Sequence, residues 1–368
     1  MQVPFLDLSV KHKELDTEIK NVFDQVLKES YFVYGQQVTD FEKSFGEMLG
    51  MPHTLAVGNC TDAMFAVLKM LGIKKGDEVL VPALTWITAA EVVSELCAKP
   101  VFVDVNDMGL LDLEALERHI TPKTKAIIPV HLYGQMVNMQ LLMEVAKKHQ
   151  LFVVEDCAQA HMAKQKDKYA GTWGHAAVFS FYPTKNLGAL GDAGAIVTKD
   201  KALYTACRKY VNHGAADKHN HEFPGMNSRM DTLQAAILLL KMPYLSEWNA
   251  QRREASSYYH KNLMEGENLQ LPRTAEGNEH VFHIYQIRTP KRNELKKWLK
   301  SQDIQTQIHY PKALPFTAAY SALNHTASDF SVAYQFQEQT LSLPLFPGIT
   351  ENQQAHVVRS VNAFLSKP

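Results

Sequence analysis

Lys185 lies in the run Phe179-Ser-Phe-Tyr-Pro-Thr-Lys185-Asn-Leu-Gly-Ala-Leu-Gly-Asp-Ala-Gly194. A β-rich segment leads into the lysine, and Gly188, Gly191 and Gly194 follow it. Glycine lets a backbone pass close to another group, so such a loop can carry an amine up to a cofactor; a surface lysine in a glycine hairpin is the plainer alternative. Glu155 and Asp156 end the apolar run Leu151-Phe-Val-Val. A carboxylate at the carboxyl end of a buried strand can hold a heteroaromatic ring nitrogen protonated, as pyridoxal phosphate (PLP) requires when its ring draws electrons from a carbanion. It can equally cap the next turn. In Val57-Gly-Asn-Cys-Thr61-Asp-Ala-Met64 a strand passes through a small polar turn into a helix. The N–H groups of that helix start and the Thr61 hydroxyl would seat a phosphate, or form an ordinary N-cap. Trp86 in Pro82-Ala-Leu-Thr-Trp86 can stack on a flat ring or fill a core. Together these place a phosphate seat, a ring stacker, a ring-nitrogen partner and an amine each just past a strand end, a combination more specific than any of its parts.

The elements that must position these groups are legible as periodicities. Apolar runs occur at His53–Val57, Glu78–Val81, Pro100–Val105, Ala126–His131, Leu151–Glu155, Ala177–Phe181 and Gly194–Thr198. Helical patterns separate most of them, at Thr61–Leu71, Ala89–Cys97, Leu111–His119 and Met139–His149. Val- and Ile-rich runs alternating with helices predict an α/β fold, a mostly parallel seven-stranded sheet between helices, with ligands beyond the strands' carboxyl ends. Upstream, residues 1–11 read as an extended arm. A helix follows over Leu15–Leu27, and Thr39-x-x-Glu42 reads as a capping box opening the next one. Ser228–Lys241 reads as a long apolar helix before Pro243, and residues 244–263 as a connecting helix. A strand over His280–Thr289, a helix over Arg292–Ser301, a strand over Ile304–His309 and a helix over Glu351–Ser366 then predict a smaller C-terminal α+β domain. The division is a large domain over 1–245 and a small one over 246–368.

Bulk properties narrow the classes further. Of 368 residues, 46% are apolar and 21% charged, and 38 basic residues against 39 acidic ones leave a net charge of −1. That balance, with no basic stripe, argues against a nucleic-acid binder. No apolar run is long enough to span a bilayer, and the N-terminal apolar stretch is too short and too soon charged for a signal peptide. The cysteines Cys60, Cys97, Cys157 and Cys207 lack a C-x-x-C pair, so neither a disulfide framework nor a zinc site is expected, and a reducing cytoplasm fits best.

The sequence resembles the DegT/StrS sugar aminotransferases, PLP enzymes of fold type I. The resemblance runs through Val3-Pro-Phe-Leu-Asp-Leu8, Val81–Trp86, Pro100–Asp104, Pro129-Val-His-Leu-Tyr-Gly134, Glu155-Asp-Cys-Ala-Gln-Ala-His161, the Lys185 loop, Gly225–Ala236, Ile308-His-Tyr-Pro311 and Leu343–Gly348. It implies that Lys185 forms a Schiff base with PLP, Asp156 pairs with the pyridine nitrogen and Trp86 stacks on the ring. Gln159 would lie near the phenolic oxygen, with Thr61, Asp62 and Ser180 holding the phosphate. Asn227 would reach the phosphate of a neighbouring subunit in a homodimer, and His309 and Tyr310 would lie near the substrate. His131, His161, His175 and His213 read as structural.

The implied reaction carries an amino group from L-glutamate, through the pyridoxamine form, to a keto sugar on a nucleotide. The Tyr182-Pro-Thr-Lys pattern favours a dTDP-3-keto-6-deoxyhexose; a 4-keto sugar on UDP, dTDP or GDP and a cyclitol-type ketone are the alternatives. Intact Lys185 argues against a sugar dehydratase of the same fold, and intact Lys185, Asp156 and Asn227 against a regulatory relative without catalysis. Three positions depart from the family pattern: Cys60 in the phosphate turn, Met162 where glycine is common, and Lys312–Phe316 after the His-Tyr-Pro motif. The last two are expected to bear on the sugar.

Overall fold

The computed structural model describes residues 1–366. Seven short runs form one sheet: β1 (His53–Val57), β2 (Glu78–Pro82), β3 (Lys99–Val103), β4 (Thr124–Ile127), β5 (Phe152–Asp156), β6 (Ala176–Ser180) and β7 (Gly194–Thr198). Their order is β1-β7-β6-β5-β4-β2-β3. β7 runs antiparallel to both its neighbours, and all other pairs are parallel. Every residue of β2, β6 and β7 is buried. Strands buried on both sides must be covered on both faces, which accounts for their near-continuous apolar character. The covering helices include Cys60–Met70, Thr88–Glu95 and Met139–His149.

A second core forms around Tyr259, Tyr285, Leu295, Leu299, Leu341 and Val357. It gathers a two-stranded antiparallel pair, β8 (Tyr285–Arg288) with β9 (Thr340–Leu343), and the helices Leu245–Asn262, Arg292–Ser301 and Glu351–Leu365. Val3 joins this second core, whereas Ile284, Leu314 and Phe336 pack into the first. Among the described residues no helix is long and apolar enough to cross a membrane.

Four sequence expectations are corrected. Residues 1–11 are not a uniformly extended arm: Val3 pairs with Ile304, and a helix begins at Ser9. The helix expected from Thr39 spans Gln36–Leu49, because the extended backbone of Gly35 already breaks the chain; the Glu42 carboxylate accepts from the Ala56 N–H instead of closing a capping box. Ile304–His309 is not a strand. Ile304 bridges to Val3 and Gln307 to Ser342, and two different partners cannot make one ladder. The apolar helix expected from Ser228 begins at Thr232.

Candidate active site

Sheet topology brings the candidate residues together. In a parallel array all carboxyl ends share one edge. Because β7 is antiparallel to β6, the loop joining them returns to that same edge and carries Lys185 there. Asn59–Thr61 follow β1, Thr85 and Trp86 follow β2, and Asp156 and Ser180 end β5 and β6. These positions line one cavity of about 570 Å³ with Lys185, closed on another side by His283, Ile284, His309 and Tyr310. The loop glycines have a different cause from the expected approach to a cofactor. A Cβ on Gly188 would collide with the Pro183 backbone, and one on Gly194 would lie 2.8 Å from the Cys60 nitrogen. They are small so that the loop can fold on itself and dock against the turn after β1.

Lys185 and Asp156 share the cavity, and burial governs both. Burial lowers the lysine's pKa, partly offset by the Asp156 carboxylate and Cys60. Burial raises that of Asp156, opposed by the Ala158 N–H that its Oδ1 accepts at 3.0 Å, by Lys185 and by His131. Each group is therefore drawn toward its neutral form, and a cation brought to Asp156 would restore its charge.

The neighbouring acid has a different environment. Glu155 is fully buried and accepts from the N–H groups of Gly171 (2.9 Å), Trp173 (2.8 Å) and Gly174 (2.7 Å), and from His131 Nε2 (3.0 Å). His131 Nδ1 accepts from the Val137 N–H, so Nε2 carries the hydrogen. His131, Glu155 and Cys157 place ligand-type atoms within 4.8 Å of one another. The ring nitrogens and the carboxylate already serve these protein contacts, and burial raises the Cys157 thiol well above its ordinary pKa. The arrangement is a structural knot beneath the cavity.

The other predicted residues divide. Gln159 Oε1 accepts from the Tyr133 N–H (2.7 Å), and its Nε2 donates to Tyr310 Oη (3.0 Å). Thr61 donates to Thr88 (3.0 Å), because the hydrogen of Thr88 goes to Glu91. Ser180 Oγ accepts from the Tyr182 N–H (3.3 Å), which leaves its hydrogen for a ligand. Trp86 stands at the rim, 60% exposed, its ring 5.8 Å from that of Tyr310. Burial lowers His309 to about 4 and raises the Tyr310 phenol. Asp62 does not line the cavity: its amide is held by Asn59 Oδ1 (2.8 Å) and its carboxylate by Asn59 Nδ2 (2.9 Å). Asn227 is exposed and outside this chain's cavity. Met162 and Lys312–Phe316 do not line it either, and Met162 adopts φ 64°, the region that favours glycine. His161 is buried behind the site against Phe179 and Phe181, His175 accepts from the Val153 N–H, and His213 is exposed.

Two residues escaped the sequence reading. Asn59, not Thr61, is the N-cap of Cys60–Met70; its position three residues before Asp62 is a capping pattern that was present to be read. His283 had no such signal, being a lone histidine after an apolar pair.

A sequence profile of the DegT/DnrJ/EryC1/StrS aminotransferase family matches residues 13–362. The chain belongs to this family. Among its relatives, a "pleiotropic regulatory protein" of Geobacillus stearothermophilus is 42% identical over 99% of both chains. The dTDP-3-amino-3,4,6-trideoxy-alpha-D-glucose transaminase of Streptomyces venezuelae is 37% identical over 100% of this chain and 97% of its own. The crystal structure of S. venezuelae DesV in complex with a ketimine intermediate superposes with a TM-score of 0.97, at 37% identity, covering 100% of this chain and 99% of that one. The chain is thus a PLP-dependent sugar aminotransferase by family, and its cavity fits that cofactor: a buried carboxylate in want of a cation, an amine disposed to neutrality, and a hydroxyl and helix start at one end.

Proposed function

We propose that the chain transfers an amino group from L-glutamate to the ketone of a nucleotide-linked 6-deoxy sugar, with a dTDP-3-keto-6-deoxyhexose as the favoured acceptor. The observation that carries this reading is the Lys185 amine and the Asp156 carboxylate in one cavity: burial moves the lysine toward the neutral amine that a base must be, and leaves Asp156 a buried carboxylate that a protonated ring nitrogen would restore to its charged form. The name of the S. venezuelae relative supports the sugar class.

PLP supplies a carbonyl that condenses with amines and a ring that withdraws electrons from the carbon losing its proton. The remaining work belongs to the chain. Asp156 Oδ would hold the ring-nitrogen proton, and Trp86 would cover the ring. Gln159 would face the phenolic oxygen, while the Ser180 hydroxyl, the first N–H groups of Cys60–Met70 and the Thr61 hydroxyl, once turned from Thr88, would hold the phosphate. Asp62 would support that seat through Asn59. Lys185 Nζ, with its pKa lowered, would take the proton from the α-carbon of glutamate and give it to the cofactor's C4′, and in the second half-reaction would move one from C4′ to the sugar carbon that gains the amine. His309 and Tyr310 would contact the sugar.

The same reading makes the active unit a homodimer, with Asn227 serving the partner's phosphate seat. Tyr31, Phe32, Val33 and Tyr34 are exposed beside it, and Val33 pairs with Asp231. Exposed aromatic residues of this kind suit a covered face. The four free cysteines agree with a cytoplasmic setting, and we assign the sequence divisions 1–245 and 246–368 to cofactor binding and to closure over the substrate.

The test is the visible spectrum of the purified protein, before and after L-glutamate, alongside Lys185→Ala. A yellow band that glutamate discharges in the wild type, and that K185A lacks, is the expected result. A wild type that takes up no PLP, or whose PLP ignores glutamate, refutes the reading.

A further inference from the structure

The cavity holds an imidazole that the mechanism above does not use, and its neighbours fix its tautomer. Asn249 Nδ2 donates to the His161 carbonyl (3.0 Å), so Asn249 turns Oδ1 toward Asn186. Asn186 Nδ2 donates to that oxygen (2.8 Å) and to the Val281 carbonyl (3.1 Å). Two acceptors on one side set the amide's orientation and leave Asn186 Oδ1 facing His283 Nδ1 at 2.9 Å. An amide oxygen only accepts. His283 Nδ1 therefore carries the hydrogen, and Nε2 keeps a lone pair in a residue that lines the cavity beside Lys185.

This imidazole is also held neutral. Burial, then the charges of Lys185 and Arg252, place its pKa well below the ordinary histidine value. A carboxylate behind a histidine stabilises the imidazolium; the amide of Asn186 brings no charge to do so. The backbone is pinned as well. Arg252 Nη1 donates to the carbonyls of Phe282 (3.2 Å), His283 (3.3 Å) and Leu345 (3.2 Å). Phe282 is held at φ 40°, a left-handed conformation that a side-chain-bearing residue keeps only where the surroundings impose it.

We propose that His283, which lines the same cavity, is a positioning residue for Lys185: when substrate displaces that amine from the bound cofactor, His283 Nε2 accepts an N–H from Lys185 Nζ and so aims the amine at the reacting carbon. The inference rests on the aminotransferase reading. A neutral amine has two N–H groups and one lone pair. With one N–H directed to His283, the lone pair is turned into the cavity. When Nζ takes the proton from the α-carbon of glutamate, the ammonium keeps the same contact as a charge-assisted hydrogen bond. In the glutamate half-reaction Nζ would move the proton from the α-carbon to the cofactor's C4′, and in the second half-reaction from C4′ to the sugar carbon; His283 neither gains nor loses one.

Two measurements test this. Ring ¹⁵N shifts of histidine-labelled holoenzyme, assigned by the signal lost in His283→Phe, report the tautomer without turnover. Between about pH 6 and 8 a protonated Nδ1 and an unprotonated Nε2 that do not titrate are expected; an Nε2–H tautomer or an imidazolium overturns the proposal. The second measurement is the single-turnover rate with α-deuterated and ordinary glutamate. H283F should slow the glutamate half-reaction by about 10- to 100-fold, the range for a lost hydrogen bond to a charged group. PLP and glutamate affinity should be retained, and the deuterium effect should rise. His283→Gln, which can offer an amide oxygen, should recover part of the loss. A rate for H283F within about twofold of wild type, well below a single net hydrogen bond to a charged group, overturns the assignment, as does an unchanged isotope effect. If H283F does not fold, H283Q is judged by the same isotope effect and the wild-type tautomer still decides the premise. A wild type indifferent to glutamate refutes the aminotransferase reading; a responsive wild type with an insensitive H283F refutes this assignment alone.

Discussion

Adjacent acids at the end of β5 should fail in opposite ways when each is changed to its amide. In Glu155→Gln, the new NH2 group faces two N–H donors whichever way the amide turns: His131 and Gly171 on one side, Trp173 and Gly174 on the other. His131 cannot resolve the conflict by changing tautomer, because Nδ1 would then bring a hydrogen against the Val137 N–H. Two buried donors are stranded at about 1–3 kcal/mol each, so the variant should lose about 2–6 kcal/mol. Asp156→Asn presents the reverse case. Its Oδ1 can still accept from the Ala158 N–H, and the substitution removes a charge that burial disfavours. Stability should stay within about 1 kcal/mol of wild type, while the glutamate half-reaction falls by about 10²- to 10³-fold, the scale for a lost electrostatic contact to the reacting group. Denaturant unfolding of both variants, with glutamate-driven bleaching of the bound cofactor, separates the two. Equal destabilisation, or an E155Q cost below about 1 kcal/mol, would refute the division of labour.

Gly188→Ala should displace the Lys185 loop, because its Cβ would lie 2.8 Å from the Pro183 carbonyl carbon; about 1–3 kcal/mol of stability and most PLP uptake should be lost, read by melting and by absorbance. Stability should also fall with acidification from about pH 6.5 toward 4. His161 and His280 are lowered to about 3, His309 to about 4 and His283 well below its ordinary value, all chiefly by burial. The unfolded chain therefore binds protons that the folded chain refuses in that window, at about 1.4 kcal/mol per pH unit for each histidine. Unfolding at stepped pH measures the slope, and a flat profile would contradict it. Thr350→Ala removes the capping box with Gln353 on Glu351–Leu365, and should cost about 0.5–2 kcal/mol with no change in the cofactor spectrum.

What the sequence yielded, and what it withheld, follows from how local each signal is. The seven strands announced themselves because burial on both faces forces an unbroken apolar run, as in Glu78–Pro82. Lys185, Asp156 and Trp86 were placed correctly at strand ends because the alternation of strands and helices implies a shared carboxyl edge. The helix Ser331–Gln339 and strand β9 were missed: Thr340–Leu343 exists through pairing with β8, more than fifty residues earlier in the chain. The glycines of the lysine loop were correctly seen to require close approach, but to the wrong partner, since the space they free is filled by protein. His283 was invisible because what distinguishes it is the chain Asn249–Asn186–His283, whose members lie far apart in sequence.

The polar surroundings of Lys185 share one property, and it bears on how a single amine can serve two half-reactions. His161, His283 and His309 are each shifted downward in part by Lys185 itself, so each stays neutral where the lysine gains or loses its proton. Tyr310, which faces the same space, is pushed the other way by burial and also stays neutral. A histidine with its ordinary pKa near 6.5 would compete for the proton at cellular pH and could release it to water. Burial removes these competitors while leaving their lone pairs and hydrogens available for contacts. Within each half-reaction the moving proton is then handled by one group, Lys185 Nζ, which would pass it between the substrate carbon and the cofactor's C4′. Specificity for the sugar can vary around the cavity without disturbing that arrangement, because the histidines are kept neutral chiefly by burial, and the residues that hold His283, Asn186 and Arg252, are themselves buried.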